Sequence, residues 1–279
     1  MAKRYFNWKL AIVLVISVVV LGATAYALRQ WQRGQRAEHG LEAGLEAYSQ
    51  QQWEEAAKEL GRYLTIQRDD VPTLFKYADA QLKIRPAKAG NVQQAIAAYR
   101  NILRIDKINS EAATRLTEIY LAMGMPGEAE LIARRRLELD TRYSILDTRS
   151  QRVSSIQDRT DDLELRRLLA LALAAQRKVS EAVAELKAIF QEQPEQVLAY
   201  ETLGQLTEQR PENFAEPAAH WFNQAINNNP SSALAYITRA GFHLRSKDKA
   251  KALADLEQAE KLDLSDPAVR LRLAQEFIN

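Results

Sequence analysis

Cysteine is absent from the 279 residues. That excludes disulfides, thiol catalysis and thiolate metal sites, and it leaves the redox compartment undecided. Glycine and proline are sparse, at 10 and 8. With Ala, Leu, Glu, Gln and Arg abundant, this balance favours helix throughout. The three histidines, His39, His220 and His243, lie far apart. No HExxH, glycine-rich phosphate loop, GxSxG elbow or clustered set of metal ligands occurs. The carboxylates fall beside Lys and Arg on solvated helix faces, where weak ion pairing is the expected role. No catalytic residue, cofactor, metal or small-molecule substrate is expected, and the protein is not read as an enzyme.

A strong excess of either charge is also missing: the net charge is +2. Its distribution is uneven. Residues 1–36 carry Lys3, Arg4, Lys9, Arg29, Arg33 and Arg36 and no acid, which leaves the rest of the chain mildly acidic. No basic stripe remains to replace phosphate counterions, so nucleic acid is not an expected partner.

What is present first is an uncharged run, residues 10–28, LAIVLVISVVVLGATAYAL. Its apolar body is Leu10, Ile12, Val13, Leu14, Val15, Ile16, Val18, Val19, Val20 and Leu21. As a helix it is roughly 28 Å long, about the thickness of a bilayer's hydrocarbon core. Trp8, Tyr26 and Trp31 lie near its ends, where amphipathic rings prefer to sit. A transmembrane anchor is expected, with residues 1–9 a short basic tail and 29–36 a linker helix. A cleavable signal peptide is the rival, cut after Ala23-Thr24-Ala25 or Ala25-Tyr26-Ala27. Arg29, Arg33 and Arg36 just beyond the cut favour retention. The basic residues are nearly balanced across the run and slightly favour an inside N-terminus with the remainder outside the cytoplasm. A cytoplasmic (inner) membrane, crossed once, is the expected location.

The rest is organised around Ser110–Tyr143. Ser110-Glu111 reads as a helix start. Ala113, Leu116, Thr117, Tyr120 and Leu121 follow at helical spacing, Gly124-Met125-Pro126-Gly127 breaks the helix, and a second runs from Glu128 until Asp140-Thr141 closes the unit. Two such helices cannot bury their apolar faces alone and need neighbours of the same kind. The neighbours are present. A small residue early in the second helix recurs as Ala56, Ala95, Ala129, Ala182, Ala218 and Ala252. One inside the first helix recurs as Gly44, Ala78, Thr117, Ala170, Gly204, Ala240 and Ala274. Every step is 34 residues or 34 plus an insertion. The insertions fall between the helices of the second unit (KIRPAKAGN), between the third and fourth units, and between the helices of the fifth.

These columns, with Tyr120 late in a first helix, Tyr99 and Phe222 midway along second helices, and Pro194 and Pro230 after them, resemble the tetratricopeptide repeat family. Arg136 and Tyr63 depart from it where a small residue is usual late in the second helix, and Arg166 and Arg270 where a bulky one starts the first. The resemblance implies an all-α, right-handed superhelical solenoid of about six and a half helix-turn-helix repeats behind the N-terminal transmembrane helix. Repeats 1–3 occupy 37–143 and repeats 4–6 occupy 163–266. Residues 144–162 form an insertion, read as a hinge, a partner-binding loop, or a helix extension with a linker. Residues 267–279 are the first helix of a seventh repeat or a cap. His243 falls in the column of Tyr120 and is expected to pack as an aromatic substitute.

The resemblance further implies a surface for other proteins or peptides. In the family the first helices line the concave side. Here that implies a partner groove of Leu41, Leu45, Tyr48, Phe75, Asp79, Leu82, Thr114, Glu118 and Leu121, continued by Arg167, Leu171, Glu201, Gln205, Ile237 and Gly241. The Lys/Asn pattern that clamps a C-terminal carboxylate in some members is missing. The expected function is a membrane-anchored scaffold for protein–protein interaction. Two other readings stay open: the docking or regulatory part of a longer enzyme, and a secreted or periplasmic binding protein released by signal cleavage.

Overall fold

A computed structural model describes residues 37–146 and 156–278, together with Ser17, Leu21, Gly22, Thr24 and Arg29. The expected anchor and its linker helix therefore lie almost wholly outside the described residues, as do residues 147–155. No helix among the described residues is long and apolar enough to cross a membrane. The described chain is helical, without a strand. It divides into two compact units, Met1–Lys107 and Ile108–Asn279.

In the first unit, α1 covers residues 37–49, followed by α2 (Trp53–Leu64), α3 (Val71–Lys83) and α4 (Ala89–Ile105). The second unit holds α5 (Ser110–Ala122), α6 (Pro126–Leu146), α7 (Ile156–Ala175), α8 (Val179–Glu192) and α9 (Val197–Gln209). After a 3-10 turn at Pro211–Asn213 come α10 (Ala218–Asn228), α11 (Ala233–Arg245), α12 (Lys249–Glu260) and α13 (Pro267–Ile278). Each helix packs on its hairpin partner, and within the second unit each first helix also packs on the next first helix, as α5 on α7 and α7 on α9.

The small-residue columns make the hairpins close. Six of the seven first-helix positions, Gly44 through Ala240, are buried, and Ala274 on the last helix is exposed. Two glycines show why small residues stand there. A Cβ on Gly44 would lie 2.7 Å from Leu60 Cδ2, and one on Gly204 would lie 2.5 Å from Phe222 Cε2. The large residue of the second helix fills the space that the glycine leaves.

Hairpin turns share one backbone device. Gln51, Gly124, Arg177 and Lys247, each just past a first helix, all adopt left-handed φ near +60 to +70°. Only Gly124 announces this in the sequence, because glycine alone adopts that region without a steric cost. The second and fifth hairpins, which carry insertions, have no such residue.

Several local expectations are corrected. α5 does start at Ser110; the side chain of Asn109 caps it, accepting from the Ala112 amide at 2.9 Å. The third hairpin does not close at Asp140-Thr141, because α6 runs on to Leu146. The fourth unit does not begin at residue 163: α7 starts at Ile156, so residues 156–162 of the insertion are helical. The two compact units part at Lys107, not within 144–162; α6 and α7, on either side of that insertion, pack against each other.

The departure at Arg136 explains part of this. Arg136 is only 5% exposed. Its Nη2 donates to Ser110 Oγ at 2.6 Å and lies 3.1 Å from Asp162 Oδ1, while Ser110 Oγ donates to Asp162 at 2.7 Å. One buried guanidinium thus joins α5, α6 and α7.

Glu130 performs a similar office nearer the start of α6. It accepts from Arg134 Nε at 2.8 Å and, with its other oxygen, from Gln176 Nε2 and Lys178 Nζ at 2.7 Å each. Burial pushes its carboxyl up, but the hydrogen bonds from Lys178, Arg134 and Gln176 outweigh that and hold it down at about 2. A depressed carboxylate contributes stability above its unfolded pKa, and that contribution is lost as pH falls through the folded value. The advantage of wild type over Glu130→Gln in thermal melts is therefore expected to be full at pH 6, to shrink below about 4.5 and to be gone near pH 2. An advantage independent of pH across that window would show that the carboxylate charge is not what joins α6 to α7 and α8.

Candidate functional site: the inner faces of the first helices

The nine groove residues are divided between the units. Leu41, Leu45, Tyr48, Phe75, Asp79 and Leu82 lie in the first, and Thr114, Glu118 and Leu121 in the second.

In the first unit, α1 and α3 bring Tyr48 and Asp79 together: the phenol donates to Asp79 Oδ2. Lys83, one turn along α3, places its ammonium 2.8 Å from the same oxygen. Lys83 Nζ also stands 4.6 Å over the Trp53 ring and 5.8 Å over Tyr48, and Lys76 Nζ stands 5.2 Å over Tyr48. Tyr48 and Trp53 meet edge to face at 5.4 Å. Burial first, then the hydrogen bond to Asp79, pushes the Tyr48 phenol up to about 12. It is therefore a fixed donor at neutral pH, not a base. Leu45 is 37% exposed beside this cluster, and Leu41 and Leu82 are half-buried. Phe75 is half-buried, and its ring meets Tyr99 of α4 edge to face at 5.9 Å, a contact within its own hairpin.

Three participants were missed by sequence reasoning. Lys76 and Lys83 stand at i−3 and i+4 from Asp79, so helical spacing alone could have found them. Trp53 carried no such signal. It opens a second helix, and only the tight turn after α1 folds it back onto Tyr48.

In the second unit, Thr114 is buried, Leu121 is half-buried, and Glu118 pairs with Arg115 at 3.3 Å. Farther along, Arg167 donates through Nε to Glu164 at 2.8 Å and through Nη1 to Thr202 at 3.3 Å. Gln205 donates to Glu201 at 3.1 Å. Ile237 is fully buried and belongs to the core. His243 is half-buried beside Phe242 and stands 3.7 Å from Asp255, which Arg239 holds bidentately.

Such surfaces act by apolar contact, by charge and by ring faces that accept cations. Among the described residues, no group of three or more His, Cys, Asp or Glu is placed to hold a metal ion.

The tetratricopeptide repeat family is matched over residues 87–143. No curated protein matches the chain. Among solved structures, MamA is similar with a TM-score of 0.52 at 17% identity, over 71% of this chain and 94% of that one. PilW, described as a widely conserved type IV pilus biogenesis factor, is similar with a TM-score of 0.52 at 12% identity, over 85% and 98%. At these identities the likeness is one of fold. Residues 87–143 thus match the tetratricopeptide repeat family, and the chain shares the helical-repeat fold of these structures.

Proposed function

We propose that this protein is a membrane-anchored repeat scaffold without catalysis of its own. It holds partner proteins or peptides on the inner faces of its first helices. Residues 10–28 cross a cytoplasmic membrane once and leave the repeats outside the cytoplasm. The observation that carries the binding role is the Tyr48, Trp53, Lys76 and Lys83 cluster beside an exposed leucine. It is an open, adhesive surface with one carboxylate already engaged. Anchoring rests on the length and charge-free character of the hydrophobic run. It raises the local concentration of the repeats at the membrane, so weak contacts suffice.

The test is a crosslinked pull-down from membranes with the full chain. Leu45→Glu and Lys76→Glu are the appropriate changes, because both side chains border solvent, whereas Phe75 supports its own hairpin. The pair is expected to lose the proteins that wild type recovers, with helicity unchanged by circular dichroism. An identical recovered set would show that this face is not where partners bind.

A further inference from the structure

In a repeat array each unit contacts its neighbours, and curvature is the sum of small rotations between them. One contact in the second unit breaks that rule. Arg272 of α13 donates through Nη2 to Glu201 of α9, passing over the intervening first helix, α11. Packed helices lie about 8–10 Å apart, so α9 and α13 would stand roughly 16–20 Å apart if the three helices lay flat. An arginine and a glutamate meet across that interval only when the outer two helices lean toward each other over the middle one.

The middle helix leaves room for Glu276, one turn from Arg272 on α13. Gly241 of α11 is buried without a side chain of its own, under Arg245 and Glu276. A Cβ there would lie 3.3 Å from Arg245 Nη1 and 3.4 Å from Glu276 Oε1. A second, nearest-neighbour pair runs beside the first: Arg245 of α11 donates to Glu208 of α9 at 2.8 Å. At the receiving end, Gln205 also donates to Glu201, so the carboxylate is held in place from its own helix.

We propose that Arg272–Glu201 is a strap that sets the curvature of the second unit, and that its release widens the inner face between α9 and α13. The energetics suit a switch. The Arg272 side chain is 29% exposed, so salt reaches the pair from that side and screens it. Bending a stack of repeats is correspondingly soft, since no single interface is broken. A ligand that draws off either charge thus changes the width of the groove without unfolding it. The strap stands independently of the partner surface proposed for the first unit.

The absence of cysteine makes the test direct. Gln209→Cys on α9 and Gln275→Cys on α13 are both exposed and supply the only two thiols for spin labels in the full chain in detergent. Electron–electron distance measurement is expected to give one narrow distribution for the otherwise unaltered protein. Arg272→Gln is expected to move it outward by roughly 5 Å, the radius of a helix with its side chains. Gly241→Leu keeps both strap residues but fills the notch, and the same outward shift is expected. Raising salt from about 0.1 M to 1 M shortens the Debye length from about 10 Å to 3 Å and is expected to reproduce the shift without any substitution. An unchanged distance in folded Arg272→Gln overturns the strap, as does an unchanged distance in Gly241→Leu. Should either variant fail to fold, the salt series decides, and no shift there overturns it.

Discussion

Phe222→Ala is expected to lower the unfolding free energy of the second unit by about 3–5 kcal/mol, the cost of emptying a buried aromatic site. Phe222 has no exposed surface, stacks on Phe242 at a centroid distance of 4.8 Å and fills the space above Gly204. The complementary change tests the same contact from the other side. Gly204→Ala adds a carbon 2.5 Å from the ring, with a second ring atom at 2.6 Å. Overpacking of this kind costs about 1–3 kcal/mol. The gain in helix propensity returns at most about 1 kcal/mol, so a net loss is expected. Gly204→Ala with Phe222→Leu should lose less than the two single variants added together, because the smaller side chain makes room for the new carbon. Urea unfolding followed by Trp221, the single tryptophan of the second unit, reads all of these. A Gly204→Ala variant more stable than wild type would show that propensity, not close approach, governs the column.

Asp162→Ala carries the second large effect. It removes the Asp162 carboxylate from beside the buried Arg136 guanidinium, and breaking a buried pair from one side costs about 3–5 kcal/mol. Arg136→Met also breaks the pair, but the carboxylate it strands is 21% exposed and keeps the Ser110 hydroxyl, so a smaller loss is expected. The expected order is therefore Asp162→Ala far below Arg136→Met, with the double variant near Arg136→Met alone. The same urea unfolding measures it. The reverse order would mean that Asp162 does not neutralise Arg136 where α5, α6 and α7 meet.

How far the sequence could be read depended on whether a residue's role is local. The 34-residue step is local: small residues recur because two helices touch every repeat, and each copy restates the same steric demand. Gly124 is legible as a turn because its backbone conformation is the reason for the residue. Gln51, Arg177 and Lys247 adopt that conformation too, but their identities do not reveal it. Phe75 illustrates the limit on the candidate site. A column places it on the inner side of α3; that its ring meets Tyr99 edge to face depends on how α3 and α4 pack.

Residue order alone determined the helical class, the hairpin count and the mild acidity of the repeats, since periodicity and composition act within one or two turns of chain. The three-dimensional arrangement decided which polar residues meet: Ser110, Arg136 and Asp162 across the longest insertion, Tyr48 with Asp79 and the two lysines, and Arg272 with Glu201 across α11. Those pairings join residues up to 71 positions apart in the chain. Nothing in a neighbouring residue encodes such a distance; it is set by how hairpins stack, and stacking is decided by close packing summed over many side chains.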